Sequence, residues 1–217
     1  MPLYKTINYN SSTQILVWKI TESYEQLFSE IQLNEKSLLR LNTMKSQLHQ
    51  RAFLSVRKLL QQAGYSDFDL YYDESGKPHL NPNNCHTEPV EVSISHSHEF
   101  STLIISDQKA GIDIEMQREK IIRIANKFVN DKELHRLKSF DNLDLIKKLT
   151  VKWGAKEAIF KIRNEPGISF KDHIQVNKFE IQDKKATATL EMENLKQQFS
   201  IYFEEFENFT LVYAFEN

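Results

Sequence analysis

Between positions 145 and 163 the chain has no proline and a single glycine, Gly154. Its apolar residues recur every three or four positions, with Leu145, Leu149, Trp153 and Phe160 on one line and Ala155, Ile159 and Ile162 on another. That spacing predicts one long helix, and on it Gly154, Glu157 and Lys161 share a ridge. About forty residues earlier, Ala110-Gly111-Ile112-Asp113-Ile114-Glu115 alternates small or β-branched apolar residues with acids, the period of a strand. Asp113 and Glu115 therefore project to the same side.

Two carboxylates side by side on a strand repel each other, and burying them without compensation is costly, so the pair needs solvent or a cation. A strand with two acids and a helix with a third is the raw material of a Mg²⁺ site, in which oxygen ligands leave positions for water and a substrate phosphate. Lys161, one turn from Glu157, would then face that phosphate. Taken singly, each stretch reads more readily as ordinary surface: an Asp-x-Glu at a strand end is commonly solvated, and Glu/Lys at i,i+4 commonly stabilises a helix.

At 217 residues and 40% hydrophobic composition the chain can bury a substantial core, in one domain or two small ones. Its formal net charge of -2 gives no reason to expect nucleic-acid binding. One cysteine, Cys85, excludes an internal disulfide framework and any four-cysteine metal site. No stretch approaches a membrane span and no leader pattern opens the chain, so a cytoplasmic location is expected.

The layout predicts a hairpin over 3–9 and 14–20, a helix from a Thr21 cap to about residue 31, and one long helix from an Asn34 cap to a stop at Gly64. A strand over 68–72, a turn at 73–76, a polar loop over 81–89 and paired strands at 92–95 and 101–106 follow. Beyond Glu115 the order recurs in outline: helices over 121–137 and 142–163, a break at Pro166-Gly167, then strands near 174–181, 186–192, 199–203 and 210–215. No residue-level repeat accompanies this, so the expected duplication rests on layout alone.

Taken together, Gly111, Asp113 and Glu115, then Trp153, Lys156, Glu157 and Lys161, resemble the signature of the 4′-phosphopantetheinyl transferases, a GIDxE-like strand followed by a helix reading W-x-x-K-E-x-x-x-K. One departure is visible: the residue after the tryptophan is commonly a small hydroxyl or thiol residue in that family, and here it is Gly154. Chain length resembles the larger, surfactin-synthetase-activating type. That type implies an α+β fold of two similar halves related by a pseudo-two-fold axis, active as a monomer, with the site at their junction. The halves expected here are 1–108, carrying the coenzyme-binding elements, and 109–217, carrying the metal-binding acids and the catalytic helix.

Three further elements are similar to the family's coenzyme A contacts. Ser95-His96-Ser97 resembles its SHS motif, which would set His96, with Ser95 beside it, on the 3′-phosphate. Gly76-Lys77-Pro78 resembles its GKP element, and Arg51 its helical arginine at the same phosphate end. By residue type alone these are equally a hydrogen-bonded histidine, a solvated hairpin lysine and one cation among several on a helix. The family likeness implies Mg²⁺-dependent transfer of the phosphopantetheine arm of coenzyme A to a serine of an apo acyl or peptidyl carrier protein. Asp113, Glu115 and Glu157 would hold the ion, Lys161 would stabilise the leaving phosphate, and Glu157 would be the general base, directly or through a metal-bound water. The alternatives are an inactive homologue that binds coenzyme A or a carrier protein, and a metal-dependent phosphoester hydrolase.

Residues 116–163 carry 13 Lys or Arg against 6 Asp or Glu, a local balance of +7 in a chain at -2. Arg118, Lys120, Arg123, Lys127, Lys147, Lys148 and Lys152 are accordingly expected either to steer an acidic carrier protein or to be solvated helix surface.

Overall fold

The computed structural model describes residues 3–82, 89–137, 140–193 and 195–217. Most of the polar loop expected over 81–89, with Cys85, lies outside the described residues. Helix and sheet are mixed in an α+β arrangement, and the chain forms two compact units, Met1–Gln108 and Lys109–Asn217. Among the described residues no helix is long and apolar enough to cross a membrane.

In the first unit, strands β1 (Leu3–Asn8) and β2 (Gln14–Lys19) form the expected hairpin, and β5 (Glu91–Ser97) and β6 (Phe100–Ser106) form a second. They join as one antiparallel sheet in the order β1-β2-β6-β5. The central position of β2 explains its unbroken run of buried residues from Ile15 to Trp18. Helix α1 (Tyr24–Ser29) is capped by Ser23 in a capping box with Gln26, two residues later than the expected Thr21 cap. Asn34 does cap the next helix, accepting from the Ser37 amide at 2.8 Å.

The long helix expected from 34 to 64 is two helices, α2 (Glu35–Thr43) and α3 (Gln47–Gln62). Met44 and Ser46 are extended, and the Thr43 hydroxyl donates to the Arg40 carbonyl at 2.7 Å, a local bond that competes with helix continuation. Helix α3 packs on β6, β2 and β5, and its Leu54, Leu59 and Leu60 are fully buried. A short hairpin, β3 (Leu70–Tyr72) and β4 (Pro78–Leu80), completes the unit; three residues of β4 are too few for a period to announce it.

Asp67 ties the helical layer together. Its carboxylate accepts from Arg57 Nε at 2.8 Å, the Ser37 hydroxyl at 2.9 Å and the Asn34 amide at 2.9 Å, and both Asp67 and Arg57 are 2% exposed.

The second unit is a five-stranded antiparallel sheet ordered β7-β11-β10-β9-β8. Its strands are β7 (Ala110–Met116), β8 (Ile174–Val176), β9 (Lys185–Met192), β10 (Leu195–Phe206) and β11 (Phe209–Glu216). The expected helix over 121–137 is broken. It becomes α4 (Lys120–Ile124), a 3₁₀ turn (Ala125–Lys127) and α5 (Asp131–Leu137). Phe128 and Val129, both 0% exposed, plunge into the core at the break, and Asn130 recaps the chain by accepting from the Glu133 amide at 2.9 Å. Helix α6 (Asn142–Arg163), capped by Asp141, then runs across β7 and β11.

Replacing Asp67 by Ala should leave the Arg57 guanidinium buried without its partner and cost about 3–5 kcal/mol, read from the shift in urea midpoint. Arg57→Met combined with Asp67→Leu should recover most of that loss, because the uncompensated charge is then gone.

Candidate functional site

The acids and the lysine meet where α6 crosses β7, and two glycines set how closely they meet. A Cβ on Gly111 would stand 2.0 Å from the Ala158 carbonyl oxygen, so helix and strand backbones are in contact at this point. A Cβ on Gly154 would stand 2.7 Å from Val212 Cγ2 and 3.6 Å from Asp113 Oδ2. The departure from the family pattern at 154 is thus a packing feature: glycine there makes room for a stiff β-branched residue of β11.

At that short separation Lys161 Nζ donates to Asp113 Oδ1 and to the Ile112 carbonyl, both at 2.8 Å. Asp113 is 4% exposed and, like Glu115, faces the helix as the strand period requires. The Trp153 indole N–H donates to Glu115 Oε1 at 3.2 Å, and its ring is fixed edge-on against Phe128 with centroids 5.1 Å apart. Sequence reasoning gave Trp153 no role; the signal available was that a half-buried indole N–H needs an acceptor.

Glu157 is half-buried and makes no hydrogen bond or ion pair among the described residues. Burial pushes its carboxyl up to about 7, the Asp113 and Glu115 charges push the same way, and Lys161 pulls against them. Three carboxylates and one ammonium therefore share a neighbourhood. Among the described residues, however, no three His, Cys, Asp or Glu side chains are gathered into a set that could hold a metal ion as they stand. Mutual repulsion separates carboxylates that lack a cation, and here Asp113 has taken Lys161 and Glu115 has taken Trp153.

Lys156, the other lysine of the helical signature, points away from this cluster. It is 0% exposed and donates to the Phe170 and Ile174 carbonyls, each at 2.6 Å, pinning the segment that leads into β8. Burial lowers its ammonium to about 8. Lys148 and Lys152 are also interior, at 5% and 4% exposure, which removes them from the expected solvent-facing steering set. Lys147 pairs with Glu205 at 3.2 Å, whereas Arg118, Lys120, Arg123 and Lys127 are exposed.

The residues expected to hold coenzyme A lie in the first unit and do not all converge. His96, on β5, is exposed, while Ser95 points to the opposite face of the strand and is buried. Arg51, on α3, donates through Nη2 to the Ile20 carbonyl at 3.1 Å, and the Ile20 amide in turn donates to the Glu99 carbonyl in the β5–β6 turn. Arg51 and His96 thus belong to the same end of the sheet. Lys77 Nζ is 3.4 Å from Glu91 at the other end of β5, a separation from His96 of about 16 Å along the strand.

A family model described as the 4′-phosphopantetheinyl transferase superfamily matches residues 109–214, which span the whole cluster of acids, Lys161 and the glycines. The chain is also 29% identical, over 152 residues, to 4′-phosphopantetheinyl transferase gsp of Aneurinibacillus migulanus. That similarity takes in 69% of this chain and 60% of the relative, so the chain covers less than two thirds of the relative's length.

Gly154→Ala should destabilise the protein by about 1–3 kcal/mol in urea denaturation, because Val212 cannot swing aside. With Val212→Ala in the same chain the combined loss should be clearly smaller than the sum of the two single losses.

Proposed function

We propose, from the premise that this chain belongs to the 4′-phosphopantetheinyl transferase superfamily, that it transfers the phosphopantetheine arm of coenzyme A to a serine hydroxyl of an apo acyl or peptidyl carrier protein, releasing adenosine 3′,5′-bisphosphate. The observation that carries this reading is the Glu157 carboxyl: half-buried, hydrogen-bonded to no described residue, and held up to about 7 beside two further carboxylates.

Such a group favours a cation, and the donors around it are all oxygens, which fits Mg²⁺ in kind. Asp113, Glu115 and Glu157 would hold the ion, whose charge would draw them together and, when bound, offset that of the coenzyme pyrophosphate. Lys161 already sits at Asp113 and supplies a donor for the leaving phosphate. A carboxyl that titrates near neutrality suits acceptance of the serine proton, the role given to Glu157. Attack by the serine oxygen on the coenzyme's pantetheine-linked phosphorus breaks the bond to the bridging pyrophosphate oxygen, and the bisphosphate departs with that oxygen.

In this reading 1–108 carries the coenzyme-holding side chains and 109–217 the acids and Lys161, and the chain works in the cytoplasm, where coenzyme and carriers meet. Each unit lays its longest helix, α3 or α6, on an antiparallel sheet, which supports two related halves. His96 and Arg51 take the 3′-phosphate, with Ser95 holding the strand behind them. Lys77 exchanges Glu91 for a different part of the extended ligand.

Incubating the chain with coenzyme A, Mg²⁺ and an apo carrier protein should add the phosphopantetheine mass to the carrier serine. Asp113→Ala and Glu157→Ala should each lower turnover by at least about a hundredfold with the circular dichroism spectrum kept. Near-normal turnover in either variant would remove that carboxylate from the reaction.

The carrier is assigned to the exposed basic residues Arg118, Lys120, Arg123 and Lys127. Raising salt shortens the screening length from about 10 Å at 0.1 M to 3 Å at 1 M. The apparent KM for the carrier should therefore rise more than that for coenzyme A, and Lys120→Glu with Arg123→Glu should flatten the dependence with kcat nearly unchanged.

A further inference from the structure

Helix α6 has a second charged face that the transfer reading does not use. Lys148 and Lys152 lie roughly 140–180° around the helix from Glu157, and they line a cavity of about 480 Å³ closed by α5 and the segment 175–179. That volume is within the range of small-molecule sites. The wall also carries Lys132, Arg136 and Lys178 against one carboxylate, Glu133. Even with Glu180, which bonds Lys148 from beside the cavity, five cationic side chains face two acids among the described residues.

The two interior ammoniums are rigidly placed. Lys148 Nζ donates to Glu180 Oε2 at 2.7 Å and to the Phe179 carbonyl at 3.0 Å; Lys152 Nζ donates to Glu133 and, at 3.2 Å, to the Val176 carbonyl. Lys148 Nζ is also 4.6 Å from the Phe140 ring centroid, and both lysines lie over Phe179 at 5.4 and 5.5 Å. An ammonium has three N–H donors, so each keeps one beyond its two acceptors. If these lysines only tied down loops, side chains would fill the space beside them, as Leu145 and Leu149 fill theirs. Instead, two like charges one turn apart, each costly to bury, border open volume.

We propose that this cavity binds a small phosphate-bearing molecule. A phosphate dianion supplies several acceptor oxygens for the two remaining donors and a second charge against the excess of cations. A single carboxylate would leave that excess largely in place, and lysine is a point-charge phosphate binder. The inference does not rest on the transfer reading, since neither the acids nor Lys161 takes part.

The test is calorimetric titration of the full chain with inorganic phosphate, with a nucleoside monophosphate and with the corresponding nucleoside, each with and without saturating coenzyme A. Saturable binding of a phosphate-bearing probe is expected, with none for the nucleoside and no displacement by coenzyme A. Preference for the free anion or for the monophosphate would tell which kind of ligand the cavity serves. Arg136→Gln with Lys178→Gln, both at exposed positions, should fold as the parent and bind at least about tenfold more weakly. Lys148→Met should abolish binding. Absence of saturable binding by either probe, displacement by coenzyme A, or unchanged affinity in the exposed double variant would overturn the proposal. Retained phosphate binding in a Glu157→Ala chain that no longer transfers would show the two readings to be independent.

Discussion

The contact on which the second unit depends is backbone against backbone, Gly111 of β7 under Ala158 of α6. Any side chain at 111 would lift the helix off the strand, and an ammonium 2.8 Å from a carboxylate oxygen tolerates no such lift. Gly154 repeats the device one turn earlier by admitting Val212, so the helix is seated on two neighbouring strands at once. Asp113, Glu115, Glu157 and Lys161 are consequently held by elements whose spacing has no slack. The short signature reads as a set of charged residues, but its Gly111, together with Gly154 beside its tryptophan, matters for the absence of bulk.

Helix α6 solves an unusual burial problem. It is interior along most of its circumference, yet Lys148, Lys152 and Lys156 recur every fourth residue on a buried line. Burying an ammonium costs several kcal/mol unless acceptors are supplied, and each of the three receives backbone carbonyls from the segment 170–179. Lys152 shows the balance: burial lowers its pKa, the Glu133 carboxylate raises it, and Lys148 lowers it again. The lysines therefore do for the sheet-leading segment what a helix cap does for a terminus, satisfying carbonyls that no strand neighbour reaches.

The strands and long helices were legible because burial imposes a period, and both 110–115 and 145–163 show theirs cleanly. The helix breaks at 44–46 and 128–130 were not, because the apolar spacing continues across them while Thr43 and Asn130 form local bonds that periodicity does not register. Strand β10 was foreseen only over 199–203 of Leu195–Phe206, since Lys196-Gln197-Gln198 before that stretch and Glu204-Glu205 after it carry no apolar alternation. The acids and Lys161 were singled out by order and spacing, and the structure sets them in one neighbourhood. The buried lysines were misread as surface because a residue type says nothing about whether carbonyls await its tip, and a lysine's four methylenes pack like any apolar stem. Likewise, alternation put Ser95 and His96 on opposite faces of β5, so adjacency in sequence did not make them one binding element.

Glu157 and Lys161 occupy one ridge, and the contrast between them says what the site is arranged for. Lys161 has two acceptors in place, whereas Glu157 has no hydrogen-bond donor among the described residues, although one turn of helix separates them. Had stability alone shaped this ridge, the i,i+4 pair would close on itself for a few tenths of a kcal/mol and leave Asp113 to be replaced by an apolar residue. Instead the ammonium is committed to the strand acid, and the helix acid is left near neutrality beside two like charges. That arrangement is unfavourable to the empty protein and favourable to any cation or proton delivered there.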